Sequence, residues 1–258
     1  MDSAEDAQNF ETHELFLKFC DECGFIFNAA FDSAKVDYAS ATEESQHFSG
    51  TFNRFAKQLI AEIACLYDLE DKNILEIGCG KGDFIRELVL QTKSVGFGID
   101  PGFLSARFRK VDERNIVFRR EYFDAAKITI DPDFVVCRHT LEHIPDVGRF
   151  MSDIAKITAG RPNVGIFFET PDVFRVLRDG AFWDIYYEHC SYFTLQSHAR
   201  LFARFGMDVA YQYLAYDDQY IIQYAKPRGG EKVVADERDL REVRDLAADF
   251  PRHVAEIR

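Results

Sequence analysis

Basic residues are in short supply: 31 Lys and Arg stand against 44 Asp and Glu, a formal net charge of −13. Proteins that grip the phosphate backbone of DNA or RNA work through clustered cations that displace counterions, so no nucleic-acid partner is expected. Long hydrophobic runs are missing too. Nothing approaches the roughly 20 consecutive apolar residues of a membrane helix, and Met1 to Asp6 are acidic and polar where a secretory leader is basic and then apolar. No membrane association is expected, and a cytoplasmic location is. Cysteine is sparse, with six in the chain. Only Cys20 and Cys23 are neighbours, which makes no disulfide framework and suits a reducing compartment. Internal repeats and low-complexity tracts are absent.

What the chain has is length: 258 residues suffice for one large α/β domain with additions. Its most informative segment is Asn73 to Gly82. There an apolar strand carrying Glu76 runs into a turn with Gly78, Cys79, Gly80 and Gly82, and a helix follows from Asp83 to Leu90. Glycines let the backbone approach a ligand, and the helix N-terminus behind them offers unpaired N–H groups. A dinucleotide fingerprint spaces its glycines G-x-G-x-x-G. The spacing here is G-x-G-x-G, which disfavours a nicotinamide oxidoreductase. Ser94 to Asp100 reads as a second buried strand ending on an acid, about twenty residues beyond the glycines, where a ribose-binding carboxylate belongs. Pro101 comes directly after it.

Further strands are predicted at Ile116 to Phe118, Phe134 to Cys137 and Val164 to Phe168. Between the last two, Val147 to Thr158 has helical spacing with Asp146 placed to cap it. Alternating strand and helix predict a parallel sheet. Residues 171–192 form a long aromatic-rich insertion holding the only tryptophan, Trp183, before a helix at Leu195 to Phe205. Met207 to Leu214 and Gln219 to Ala225, around Asp217 and Asp218, predict a closing hairpin. The expected fold is α/β, a Rossmann-like sheet of seven strands with an antiparallel end. Upstream, Phe10 to Gly50 shows no clear period. Phe52, Phe55, Ala56, Leu59, Ile60, Ile63 and Leu66 then give a helical stripe. Downstream, a linker from Lys226 to Gly230 precedes a helix whose Leu240, Val243, Leu246, Ala247 and Phe250 form an apolar face. The chain thus divides into a small extension at 1–50, a main domain at 51–226 and a linker with an amphipathic helix at 227–258.

Candidate site residues follow from these placements. Tyr122 and Phe123, after the third strand, could pack on an adenine. His139 and His143 lie at the end of the fourth strand, facing the ligand crevice of an open α/β sheet. Their separation of four also suits a metal, but no further ligand is evident at compatible spacing, so no metal is expected. In the insertion, Glu188 and His189 pair a carboxylate with an imidazole that can accept a proton near neutral pH. Cys20 and Cys23 look like half of a zinc knuckle without a second cysteine pair.

Together the motifs resemble the sugar C-methyltransferase family, within the class I S-adenosylmethionine (SAM) methyltransferases. The resemblance rests on Cys20-x-x-Cys23-Gly24-Phe25, Asp37-Tyr38, the Glu76 to Gly82 turn, His139 to Pro145, Glu169-Thr170-Pro171 and Tyr187-Glu188-His189-x-Ser191-Tyr192-Phe193. It implies SAM as cofactor, held by Glu76, Gly78, Cys79, Gly80, Gly82, Asp100, Pro101, Tyr122, Phe123 and His139. It implies methylation at the carbon beside the ketone of a nucleotide-linked 4-keto-deoxysugar. His189 and Glu188 fall on the family's base and acid, with Tyr38 and His143 as donors to the oxyanion. The chain departs from the family in three ways. A first cysteine pair is absent, Ala41 or Thr42 replaces a second tyrosine, and the sequence stops where a third domain would begin. If that domain is missing, the face around Leu240 to Phe250 is expected to be partly exposed and to drive self-association. The alternatives are an O- or N-methyltransferase of a small metabolite and a SAM-binding module without catalysis.

Overall fold

The computed structural model describes residues 8, 12–36, 38, 49–104, 115–227 and 237–257. Asp37, Ala41, Thr42 and the glycines of the 226–230 linker lie outside them. Ile74, Leu75 and Ile77 on β3 (Asn73–Ile77) and Phe134 to Cys137 on β6 (Phe134–Arg138) are buried on both faces, which is why these strands read as continuous apolar runs. They sit centrally in a seven-stranded sheet with β4 (Val95–Ile99), β5 (Ile116–Arg119), β7 (Gly165–Pro171), β9 (Met207–Ala215) and β10 (Tyr220–Pro227), in the order β5-β4-β3-β6-β7-β10-β9. The first five pair in parallel, while β10 runs antiparallel between β7 and β9. The predicted hairpin therefore forms, and its second strand inserts into the sheet rather than ending it.

One face is covered by α1 (Gly50–Leu66) and α2 (Asp83–Thr92). Leu59, Ile60 and Ile63 meet Ile74, Phe134 and Phe167 there. The other face packs on α3 (Val147–Thr158) and α5 (Leu195–Arg204), through Met151, Ile154 and Phe202. Asp146 caps α3 as predicted, its side chain accepting from the Arg149 N–H. The α1 stripe is shorter than its sequence period suggests, because Leu66 at the C-terminal end is 54% exposed.

The upstream segment, patternless in sequence, contains β1 (Leu17–Phe19) and β2 (Ile26–Asn28). Each has three residues, too few to show a period. Within the 171–192 insertion lie α4 (Val173–Asp179) and β8 (Ser191–Tyr192), and β8 completes a small antiparallel sheet in the order β1-β2-β8. The C-terminal helix α6 (Glu237–Ile257) packs on this unit. The face expected to be partly exposed has a partner surface within the chain. Leu240 and Val243 are buried, while Leu246, Ala247 and Phe250 are half-buried against a cluster with Val173, Val176, Leu177 and Tyr192. Ion pairs Arg200–Asp239 and Arg244–Asp21 flank it. No helix among the described residues is long and apolar enough to cross a membrane.

Candidate active site

A cleft of about 1080 Å³ opens at the C-terminal ends of the parallel strands, where loops diverge and ligands bind in open α/β sheets. It sits at the top of the range usual for one small ligand.

Its first end is built by the glycine turn. Gly78 and Cys79 donate to the Ile99 carbonyl at 2.8 and 3.2 Å, tying the turn to the neighbouring strand. Gly78 adopts φ +71°, and a Cβ there would lie 1.9 Å from Thr140 Oγ1, so no larger residue fits. The G78A protein is expected to lose SAM binding by calorimetry and to melt several degrees below wild type. Gly80 has φ +53° with open space where a Cβ would point. Its N–H donates to Asp100 Oδ2 at 2.8 Å, and Gly102 donates to Oδ1 at 2.7 Å. Each oxygen thus holds one donor and keeps capacity for another, as a ribose diol requires. Pro101, Tyr122 and Phe123 also line the cleft. Tyr122 stands 61% exposed, and Phe123 is braced edge-on by Phe150 with ring centroids 5.6 Å apart.

Glu76 is buried beneath this turn, its Oε2 accepting from the Ile85 N–H at 3.1 Å. Burial pushes its carboxyl up to about 8, against the opposing pull of Arg138. The folded chain therefore holds a proton that the unfolded chain releases near 4.5. Its stabilisation is complete below that pH and is lost as pH rises through 8. Relative to E76Q, wild-type protein is expected to lose on the order of 10 °C in Tm between acidic and alkaline buffers, measured by calorimetry.

Behind the cleft, Arg138 ends β6 and Glu169 lies directly across from it on β7. The two form a buried ion pair, with the guanidinium 4.0 Å from the Phe84 ring centroid. Glu169 Oε1 also bonds His139 Nε2 at 2.9 Å. Burial alone would raise the Glu169 carboxyl, but Arg138 and His139 outweigh it and hold it at about 2. His139 lines the cleft at φ +46°, anchored by that carboxylate. Sequence reasoning assigned no role to Arg138 or Glu169. An acid following an apolar strand run was the available signal.

At the other end, the insertion and the upstream segment meet. His143 Nδ1 lies 3.0 Å from the Glu188 carbonyl, which only accepts, so Nδ1 carries a hydrogen. The Tyr38 hydroxyl donates to the same carbonyl at 3.0 Å. Glu188 is thus engaged here through its backbone; its side chain is not among those lining the cleft, whereas Tyr38, His143 and His189 are. His189 is 5% exposed, 4.8 Å from His143 between ring centroids, and its Nε2 is 2.6 Å from the Tyr186 hydroxyl. Burial, with His143 and His139 nearby, lowers its pKa to about 2 and keeps the ring neutral. Tyr186 and Glu142, which also line this end, were not singled out from sequence. Cys20 and Cys23 sit at the turn between β1 and β2 and join no cluster of three potential metal ligands among the described residues.

An antiparallel strand inserted in an otherwise parallel sheet, a glycine turn and an acid at the next strand end define a Rossmann-like class I methyltransferase fold. A family model described as a methyltransferase domain matches residues 46–212, and the chain belongs to that family. No curated protein matches the chain. Among solved structures, magnesium protoporphyrin IX methyltransferase from Synechocystis PCC 6803 with bound SAH is 15% identical, with a TM-score of 0.53 over 68% of this chain and 83% of that one. N,N-8-amino-8-demethyl-D-riboflavin dimethyltransferase from Streptomyces davawensis is 17% identical, with a TM-score of 0.53 over 71% of this chain and 57% of that one. An S-adenosylmethionine dependent methyltransferase from Mesorhizobium loti is 15% identical, with a TM-score of 0.51 over 66% and 97%. The protein is a SAM-dependent methyltransferase. The open face at Gly80 and the half-satisfied Asp100 carboxylate fit that cofactor.

Proposed function

We propose that the enzyme methylates a small molecule at the carbon beside a ketone, and that the acceptor is a nucleotide-linked keto-deoxysugar. The observation that carries this reading is the convergence of Tyr38, His143, Tyr186 and a neutral His189 on the end of the cleft away from the Asp100 carboxylate. Bound at the glycine turn, SAM supplies a methyl carbon activated by its sulfonium. Removing a proton next to a carbonyl needs a positioned base, and the enolate needs donors at its oxygen. Tyr186 takes one nitrogen of His189 and orients the ring; the other accepts the acceptor's C–H proton. The negative charge developing on the enolate raises the proton affinity of the adjacent imidazole, offsetting what burial takes away. Tyr38 can exchange the Glu188 carbonyl for the enolate oxygen, leaving that carbonyl to His143. Arg149 on the cleft wall provides positive charge for a diphosphate in an otherwise acidic protein, while Arg175, also on the wall, is already paired with Asp184.

The test is incubation with SAM and a panel of nucleotide keto-deoxysugars, with NMR of the product. A new methyl bonded to carbon, with loss of the neighbouring C–H signal, is the expected result. A methyl on oxygen or nitrogen would assign the enzyme to a different acceptor class. Tyr38→Phe is expected to slow transfer ~10- to 100-fold by removing one enolate donor, while leaving SAM affinity unchanged by calorimetry.

A further inference from the structure

We propose that Glu142, His143 and His189 bind one divalent transition-metal ion of the zinc class, and that this ion reversibly shuts the acceptor end of the cleft. Their ligand atoms all lie within 4.8 Å of one another, brought together from the end of β6 and from the distant insertion. Zinc bonds of about 2.0–2.1 Å to a tetrahedral set place ligand atoms about 3.3–3.5 Å apart, so closure asks for no more than about 1.5 Å of side-chain movement.

Two independent features mark a ligand set rather than a chance grouping. Glu142 lines the cleft at 2% exposure, yet its Oε2 is buried without a hydrogen-bond partner. A buried acceptor left unmatched is costly, and a cation would satisfy it. His143 is already oriented as metal-bound histidines are: its Nδ1–H is held by a backbone carbonyl, which leaves Nε2 as the nitrogen for an ion. The two ligand-bearing segments are stitched together from both sides. Cys190 N–H donates to the Glu142 carbonyl at 2.9 Å, and His143 Nδ1 to the Glu188 carbonyl at 3.0 Å. Tyr186, 2.6 Å from one His189 nitrogen, holds that ring and leaves the other nitrogen for the ion.

The inference goes beyond methyl transfer. An ion at His189 takes the lone pair that the proposed proton abstraction uses, so occupancy and turnover exclude each other, while the Asp100 end of the cleft is untouched. The direct test needs no acceptor. Chelator-stripped protein is titrated with Zn²⁺ against a chromophoric chelator, and Co²⁺ substitution is followed by absorption. One equivalent per chain is expected, with cobalt d–d bands and no intense near-ultraviolet thiolate band. Loss of an outer partner of a metal ligand already costs 10–100-fold, so H143Q and E142Q should each weaken binding by at least about 100-fold. C20S/C23S should leave binding intact, and SAH affinity should not change with Zn²⁺ bound. Absence of stoichiometric uptake by wild type, or a thiolate band with binding lost in C20S/C23S, overturns the proposal. Once an acceptor is in hand, Zn²⁺ should stop transfer and a chelator restore it; stimulation by Zn²⁺ overturns the inhibitory role. Metal uptake without turnover of any keto-sugar would count against the acceptor assignment alone.

Discussion

Replacing His189 with alanine is expected to cut methyl transfer by ~10²–10⁴-fold while SAM affinity stays within about twofold of wild type. The two halves of that expectation come from separate parts of the cleft. The cofactor is met by the Gly78 to Gly82 turn and the Asp100 carboxylate, whereas His189 stands with Tyr186 and His143 at the other end. Calorimetry with SAH reports the first, and single-turnover kinetics with the acceptor the second. H189A is also expected to stop exchange of the acceptor's α-hydrogen with solvent deuterium when SAH is bound, isolating proton removal from methyl transfer. Unchanged exchange would remove His189 from the role of base. Equal loss of SAH binding would make it a structural residue.

Glu169→Ala is expected to cost about 3–5 kcal/mol in unfolding free energy, because it strands the buried Arg138 guanidinium without its counter-ion. Tm should fall by roughly 10 °C for a chain of this size. The pH dependence carries a second signature. The unfolded Glu169 carboxyl takes up a proton near 4.5, while the folded one stays ionised down to about 2. Its stabilisation is therefore present above 4.5 and lost as pH falls toward 2. Denaturant titrations at several pH values should show this acid limb in wild type and a flatter one in E169A. Restoring neutrality with Arg138→Met in the same chain is expected to recover part of the loss, since an unpaired buried charge costs more than an absent pair.

The central sheet was legible because both of its faces are covered, which writes strands such as Phe134 to Cys137 as unbroken apolar runs. The donor end was legible for a related reason: a strand, a glycine turn and an acid at the next strand end are local signals. The acceptor end was less so. His143 and His189 were legible as histidines at a strand end and in the insertion, Tyr38 only through a family resemblance, while Glu142 and Tyr186 acquire meaning only once the insertion folds back against the β6 end. Glu169 was quoted as part of a motif, but its partner, Arg138, is set by strand register, which no spacing along the chain reveals. What covers the C-terminal face was not legible, because its partner surface is assembled from α4 and the small sheet, and the sheet's own strands were invisible as periods.

That small sheet sets an order of assembly. Ile26 on β2 pairs with Tyr192 on β8, so the pairing encloses the five parallel strands of the central sheet in one loop. Closing such a loop is entropically expensive until the intervening chain has collapsed, and non-local pairings of this kind are slow to form. The glycine turn, Asp100 and their strands depend on none of it. In a refolding experiment the capacity to hold SAM should therefore return before the capacity to hold an acceptor, with Tyr38 the last of the reacting groups to reach its place.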